Sequence, residues 1–512
     1  MEQQSQSVPL PKVAADLSLI LLASFLSLAY FLRSNPGHLL VFDDSYITLR
    51  FAENLFRYNG ITYDGSTFLV GATSPLHIVC IAMFGLFMKM EDASITTGVL
   101  FFVLSSYLVY LWILALYNSR LTALLGGVMM ATSGWLIFDA LNGMETTAFI
   151  FFSLLTFYLY YRYQGKPLYT IPLFFSVLTR PEGWFIAVSL WMWQFIRYYL
   201  DRDKVILKQL STALGIFFVL TVPYLILSFL QTGSLLPGTA YAKAVFFGET
   251  AMPFINKAGF FKNRLLPFYG SFIYPASLFI LPLMLFARRV ITLSYLWFYF
   301  FIFYGAYFTV YPGAIQNYWN RYQHVFIPFI IMAIAVGAMA AGGMLKKRVV
   351  RILVMILIAV SILYNQGASF INAEKTYANE IISTRNPKIE LALWLKRNTP
   401  DNALIALHDI GAVGYYSERR MLDLVGLVNP EITGYYLDKQ SQKVIPLGDR
   451  QIIDYLKVKQ PDYLVMFDEW DRFFNLLQPG NEKYFDLLHT TLPLYPTTMR
   501  YRVFRCSWEN NH

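Results

Sequence analysis

Three observations predict a polytopic α-helical membrane protein of about eleven transmembrane helices, with one re-entrant segment and a C-terminal soluble α/β domain. Of 512 residues, 56% are hydrophobic and 14% charged, with a mean hydropathy of +0.45. Soluble domains carry about a quarter charged residues, so a soluble globular chain is excluded. The apolar residues fall in runs long enough to cross a bilayer, and the basic residues fill the short gaps between them. From Asn372 onward the long runs stop, and short apolar stretches alternate with polar helical patterns. The net charge of +9 follows the positive-inside rule rather than gathering on one soluble face, which argues against a nucleic-acid partner. Two cysteines, Cys80 and Cys506, are too few for a disulfide framework.

The first span covers residues 16–32, close to the roughly 17–25 residues a crossing needs. Arg33 and Asn35-Pro36-Gly37 follow it without a small-residue cleavage site, so it reads as an uncleaved signal anchor. Further spans are expected to begin near Ile95, Leu121, Thr147, Leu168, Trp184, Lys208, Gly270, Val290, Val325 and Val349. The run at 76–88 is too short to cross and is expected to be half-inserted. The densest basic gaps are Arg162 with Lys166, Arg197 to Lys208, Arg288-Arg289, and Lys346 to Arg351. Placing these in the cytoplasm puts the N-terminus inside, and the remaining gaps and the C-terminal tail outside.

Residues 1–371 are thus expected to form the membrane domain, with a first outside loop at 34–75, and residues 372–512 an extracytoplasmic α/β domain. Asn386-Pro387 opens a helix that ends at Asn398-Thr399-Pro400. Strands are expected at 403–407, 421–425, Tyr463–Phe467 and Tyr501–Cys506, and helices at 450–457 and 482–489. That alternation predicts a small doubly wound sheet. No GxGxxG follows a strand, so the fold gives no reason to expect a nucleotide.

Nearly every polar motif falls in an outside gap. Phe42-Asp43-Asp44-Ser45-Tyr46 follows the first span. Adjacent carboxylates at a membrane surface are costly unless they hold a cation or act on a substrate. One aspartate then serves as general base toward an acceptor hydroxyl, and Asp43 and Asp44 are the candidate ligands of Mg²⁺ or Mn²⁺. Alternatively the pair caps a helix running through Arg50. Glu145, opening an apolar run, is either a cap or a substrate hydrogen bonder. Arg180 and Glu182 of Thr179-Arg180-Pro181-Glu182-Gly183 either pair with each other or leave Arg180 to bind a lipid phosphate. Lys243 and Arg321 add two more cations on the same side. Singly, each cation suits a residue snorkelling to headgroups; together, Arg180, Lys243 and Arg321 suit an anionic, membrane-anchored donor whose phosphate leaves. Glu145, Glu182, Tyr241 and Tyr322 complete the set as candidate substrate contacts. The six histidines show no paired spacing, so a zinc site is rejected.

The ordered set FDDSYITLRFAENLFRYNGITYDG, GATSPLH, LNGMETT, LTRPEG, LLPGTAYAK, NRYQHVFIP and ALHDIGAVGYYSERRMLDLVGLVNPE resembles a bacterial family of GT-C glycosyltransferases. Its named relatives include the mycobacterial terminal β-arabinofuranosyltransferases, and the resemblance runs from about Asp43 to the C-terminal unit. It implies a GT-C-like membrane domain in the bacterial plasma membrane. There a single inverting displacement moves a sugar from a polyprenyl-phosphate donor to a glycan or glycolipid acceptor of the cell envelope. The family's aspartate pair falls on Asp43 and Asp44, one being the base, and its phosphate ligands fall on Lys243 and Arg321. The arabinose-transferring relatives have a longer extracytoplasmic portion, so arabinose is not carried over. The residues alone also admit a polytopic lipid or sugar transporter or flippase, or a non-catalytic envelope assembly protein. Inverted repeats, which many transporters show, are not visible here.

Overall fold

The computed structural model of the chain describes residues 10–235, 238–247, 253–272, 293–438, 440–441, 443–446, 449–493 and 500–508. Helix α1 (Leu10–Leu32) leads through a turn held by Asn35, which bonds both the amide and the carbonyl of Leu39, into α2 (Asp43–Arg57). Two acids in the first turn of α2 and Arg57 in its last match the helix dipole. Helix α3 (Pro75–Gly85) starts on proline, and its eleven residues give about 16 Å, short of a bilayer crossing. Helix α4 (Met90–Tyr117) ends where Asn118 turns left-handed, with φ at 51°. Then come α5 (Arg120–Ala131) and α6 (Gly134–Leu141), bent by 50° against each other.

The bundle continues through α7 (Thr146–Arg162), α8 (Thr170–Thr179), α9 (Gly183–Asp201), α10 (Lys204–Thr232), α11 (Thr239–Phe246), α12 (Phe254–Phe272), α13 (Tyr295–Val310), α14 (Ile327–Met344) and α15 (Arg348–Ser383). Among the described residues, five helical stretches are long and apolar enough to cross a membrane, and the bent α5–α6 pair makes a sixth. Several expected spans are therefore shorter than the hydropathy pattern suggests: α7 has 17 residues, α8 has 10 and α13 has 16. Polar motifs end these helices early. Pro181, for example, forces Arg180 into an extended conformation (φ −153°, ψ 145°) and stops α8. The span expected near Gly270 and the Arg288-Arg289 gap fall largely or wholly on residues outside the described set.

Close helix contact comes from small residues. A methyl group at Gly98 would stand 2.2 Å from the carbonyl oxygen of Ala140, so α4 and α6 meet backbone to backbone. At the start of α1, buried Asp16 takes a bidentate pair of bonds from Arg120, both 2.7 Å, and a third from the Tyr110 hydroxyl. The basic gaps and the polar motifs lie at opposite helix ends. Helix α7 runs from Glu145 to Arg162, α9 from Glu182 to Arg202, and α14 from near Arg321 to Lys346, each about 25–30 Å long.

The C-terminal sheet follows α16 (Glu390–Asn398). Its elements are β1 (Leu404–Leu407), α17 (Ala412–Ser417), β2 (Arg420–Asp423), α18 (Ile452–Lys459), β3 (Tyr463–Phe467), β4 (Phe485–Thr490) and β5 (Tyr501–Cys506), with spatial order β2-β1-β3-β5-β4. The pairs β1–β2 and β1–β3 are parallel, but β3–β5 and β4–β5 are antiparallel. The sheet is thus mixed, not doubly wound. The expected helix at 482–489 is mostly strand β4, whose pairing with β5 overrides a weak helical pattern on a largely exposed edge.

Candidate functional site

At the end of the bundle facing the sheet lies a cavity of about 390 Å³. Asp44 and Thr48 of α2, Glu145 at the head of α7, the Arg180–Glu182 turn, Lys243 of α11, Tyr307 of α13, and Arg321 and Tyr322 line it. Seven of the nine residues singled out from sequence therefore share one cavity. Tyr241 does not: it is 55% exposed on another face of α11. Asp43 does not line it either.

The two aspartates part because successive helical residues project about 100° apart. Asp44 faces the cavity, where its Oδ2 accepts from Lys243 Nζ at 2.9 Å. Burial raises its carboxyl, but Lys243 above all, with Arg321 and Tyr318, brings it below the usual carboxylate value. Burial would likewise lower the Lys243 ammonium, yet Asp44 holds it above its ordinary value. Asp43 faces the sheet. Its Oδ2 accepts from the Gly411 amide at 2.7 Å and its Oδ1 from the Ala412 amide at 3.0 Å, so it caps α17 from another part of the chain. Lys388 lies 3.6 Å from Asp43 and 3.4 Å from Asp409, and the Tyr501 hydroxyl donates to Asp409. Burial pushes the Asp43 carboxyl up to about 6, opposed by Lys388 and reinforced by Asp409. Asp409 instead goes down to about 2, because Lys388 and then His408 outweigh its burial. Lys388 occupies a π-helical turn, Thr384–Ile389, between α15 and α16.

Gly411 is glycine for steric reasons. Any Cβ there would stand 1.9 Å from the Asp43 carbonyl oxygen and 2.7 Å from its carboxyl carbon. Gly411→Ala is expected to lower stability by about 1–3 kcal/mol, the range for overpacking. It should also speed protease cleavage between bundle and sheet; thermal unfolding in detergent and limited proteolysis check this.

The inner wall is a buried charge cluster. Arg180 Nη1 donates to Glu145 Oε1 at 3.1 Å, and its Nε donates to Glu182 Oε1 at 3.2 Å. The Tyr307 hydroxyl adds a bond to Glu182. Arg321 Nη1 stands 3.6 Å from Glu145 Oε1, and its Nε and Nη1 have no hydrogen-bond partner among the described residues. Both guanidiniums flank the Tyr322 ring, at 4.5 and 5.2 Å. Three cations thus face three carboxylates around a partly apolar cavity that Arg321 helps to line.

The donor set does not fit a divalent cation shared by Asp43 and Asp44. Their carboxylates turn to different partners, and no group of three or more His, Cys, Asp or Glu side chains among the described residues could hold a metal ion.

Sequence reasoning missed the sheet's contribution. Leu427 lines the cavity from the loop after β2, where the buried Asp423 carboxylate accepts from the amides of Val425, Leu427 and Val428. It also missed the buried His324–Asp139 pair, 2.7 Å apart beneath the site. Asn142 bonds Asp139, and Ser45 bonds the Asn142 carbonyl, which ties the loop after α6 to the first turn of α2.

Residues 374–504 match a family described as a domain of unknown function, DUF8728. No curated protein matches the sequence. Two crystal structures of ArnT from Cupriavidus metallidurans, one bound to undecaprenyl phosphate and one in the apo state, are similar in fold. Each gives a TM-score of 0.57 at 12% sequence identity over 96% of this chain, and 97% and 98% of the ArnT chains respectively. The chain is therefore a multi-pass helical membrane protein with an ArnT-like fold and a C-terminal mixed α/β sheet.

Proposed function

We propose that this protein is an inverting GT-C glycosyltransferase that moves a sugar from a polyprenyl-phosphate donor to a cell-envelope glycan or lipid on the extracytoplasmic face. The observation that carries the reading is the cavity itself, where one carboxylate, Asp44, faces Lys243 with Arg180 and Arg321 nearby. The ArnT structure with undecaprenyl phosphate supports the donor class.

In the proposed step an acceptor hydroxyl oxygen attacks the anomeric carbon, and the bond from that carbon to the phosphate oxygen breaks with inversion. The hydroxyl proton passes to Asp44, and the polyprenyl phosphate leaves as an anion. Lys243 and Arg321 stabilise that anion. Donor binding resolves the apparent conflict of a base paired with a lysine. The phosphate draws Lys243 from Asp44, and loss of the cation raises the carboxylate's proton affinity when it is needed. Arg180 is committed to Glu145 and Glu182 and shapes the pocket rather than meeting the phosphate first.

Purified protein is expected to transfer sugar from one member of a panel of polyprenyl-phosphate sugars to cell-envelope acceptor. EDTA should leave the rate within about twofold, since protein cations supply the charge. Movement of labelled lipid between leaflets without formation of a glycosidic bond would instead indicate a transporter.

A further inference from the structure

The helix that carries Lys243 is built into the sheet's core. Val245 and Phe246, at the end of α11, are fully buried in the apolar cluster of the C-terminal unit. The Phe246 ring lies 5.1–5.8 Å from the rings of Tyr436, Trp470, Phe473 and Phe474. Beside it Arg450 is 1% exposed and forms no ion pair among the described residues. Its Nη2 donates to the Val245 carbonyl at 3.2 Å, its Nη1 to Phe473 and its Nε to Ile445, while its guanidinium lies 4.6 Å from the Tyr436 ring. A buried cation without a counter-charge is expensive. Here it meets carbonyls, one of them in the last turn of α11, where the helix dipole favours a cation.

We infer that Arg450, with the aromatic cage around Phe246, is a positioning residue that holds Lys243 in the cavity, so that the C-terminal unit takes part in transfer through α11. This rests on the assignment of Asp44 and Lys243 above. The grip fixes the backbone two residues beyond Lys243 and leaves its side chain free to exchange Asp44 for a phosphate. Asp44 is faced by Lys243 from α11 and by Arg321 and Tyr318 from the segment before α14; Lys243 is faced by Asp44, Tyr311 and Tyr322. If α11 slips, Asp44 of the donor-free protein loses the cation that most lowers its carboxyl, and the acid limb of the kcat/KM profile moves to higher pH.

The test uses the full chain in detergent, with Arg450→Gln, Arg450→Lys and Phe246→Leu. Acetic anhydride labelling of Lys243 and Lys388, read by mass spectrometry, reports exposure of each amine independently of turnover. In Arg450→Gln, Lys243 labelling is expected to rise about tenfold with Lys388 unchanged. The kcat/KM should fall about 10- to 100-fold, as for a misplaced catalytic group, with the acid limb of its pH profile, which reports the free enzyme, shifted upward. Arg450→Lys, which keeps the charge but one carbonyl contact at most, should recover part of both. Unchanged Lys243 labelling and an unmoved acid limb would overturn the inference, even if kcat/KM fell. Should Arg450→Gln expose both lysines through general loosening, Phe246→Leu decides: selective Lys243 exposure upholds the inference, and its absence overturns it. An active Asp44→Asn protein would instead defeat the base assignment, leaving the labelling result to judge the grip by itself.

Discussion

Asp44→Asn is expected to reduce kcat by about 10² to 10⁴, the usual contribution of a general base, while donor lipid still binds. The substitution is nearly isosteric, and the amide oxygen can still accept from Lys243 at the position Oδ2 occupies now. Folding and the phosphate-facing cations are therefore preserved, and only the proton acceptor is lost. Asp43→Asn should behave differently. An amide has one acceptor oxygen, so one of the two bonds to Gly411 and Ala412 is lost. The effect there is on thermal stability, with turnover per folded molecule largely kept. Single-turnover transfer alongside donor binding distinguishes the two. Equal loss of turnover in both variants, or full activity in Asp44→Asn, would defeat the assignment.

The largest stability effect is expected from Arg180→Met. Arg180, Glu145 and Glu182 are 3–5% exposed, and the arginine hydrogen-bonds both acids. Removing one partner of a buried pair costs about 3–5 kcal/mol, because the remaining charge has neither water nor counter-ion. Glu145 would keep Arg321, 3.6 Å away, but among the described residues Glu182 would keep only the Tyr307 hydroxyl. Combining Arg180→Met with Glu182→Gln should restore part of the melting temperature by removing one orphaned carboxylate. If the double variant is no more stable than the single, Arg180 matters through packing against Tyr322 rather than through charge.

How far the site was legible follows from what each residue interacts with. Asp44, Glu145, Arg180, Glu182, Lys243 and Arg321 stood out because ionisable groups beside long apolar runs are rare and costly. Helix parity placed them on one side of the membrane, and it is the fold that brings them to one cavity. The division of labour between Asp43 and Asp44 was not visible, since it depends on Gly411 and Ala412, more than 360 residues further on. Tyr241 shared a motif with Lys243, but two residues along a helix differ by about 200°, which carries it off the cavity. Leu427, Lys388 and Arg450 gave no local signal, because each acts through contacts made only after the sheet has docked. Strand β4 was read as helix for a similar reason: its partner β5 lies beyond it, and edge positions such as Leu487 and Leu488 stay exposed.

Helix α15 runs 36 residues and passes through a π turn straight into α16, so bundle and sheet are joined by a shaft rather than a linker. A shaft transmits angle. One residue inserted into α15 would rotate everything beyond it by about 100° and advance it about 1.5 Å, carrying Lys388 out of phase with Asp43. Surface loops of this protein are therefore free to change length in ways this helix is not, and C-terminal units can be exchanged between such scaffolds only when the helical phase of the join is conserved.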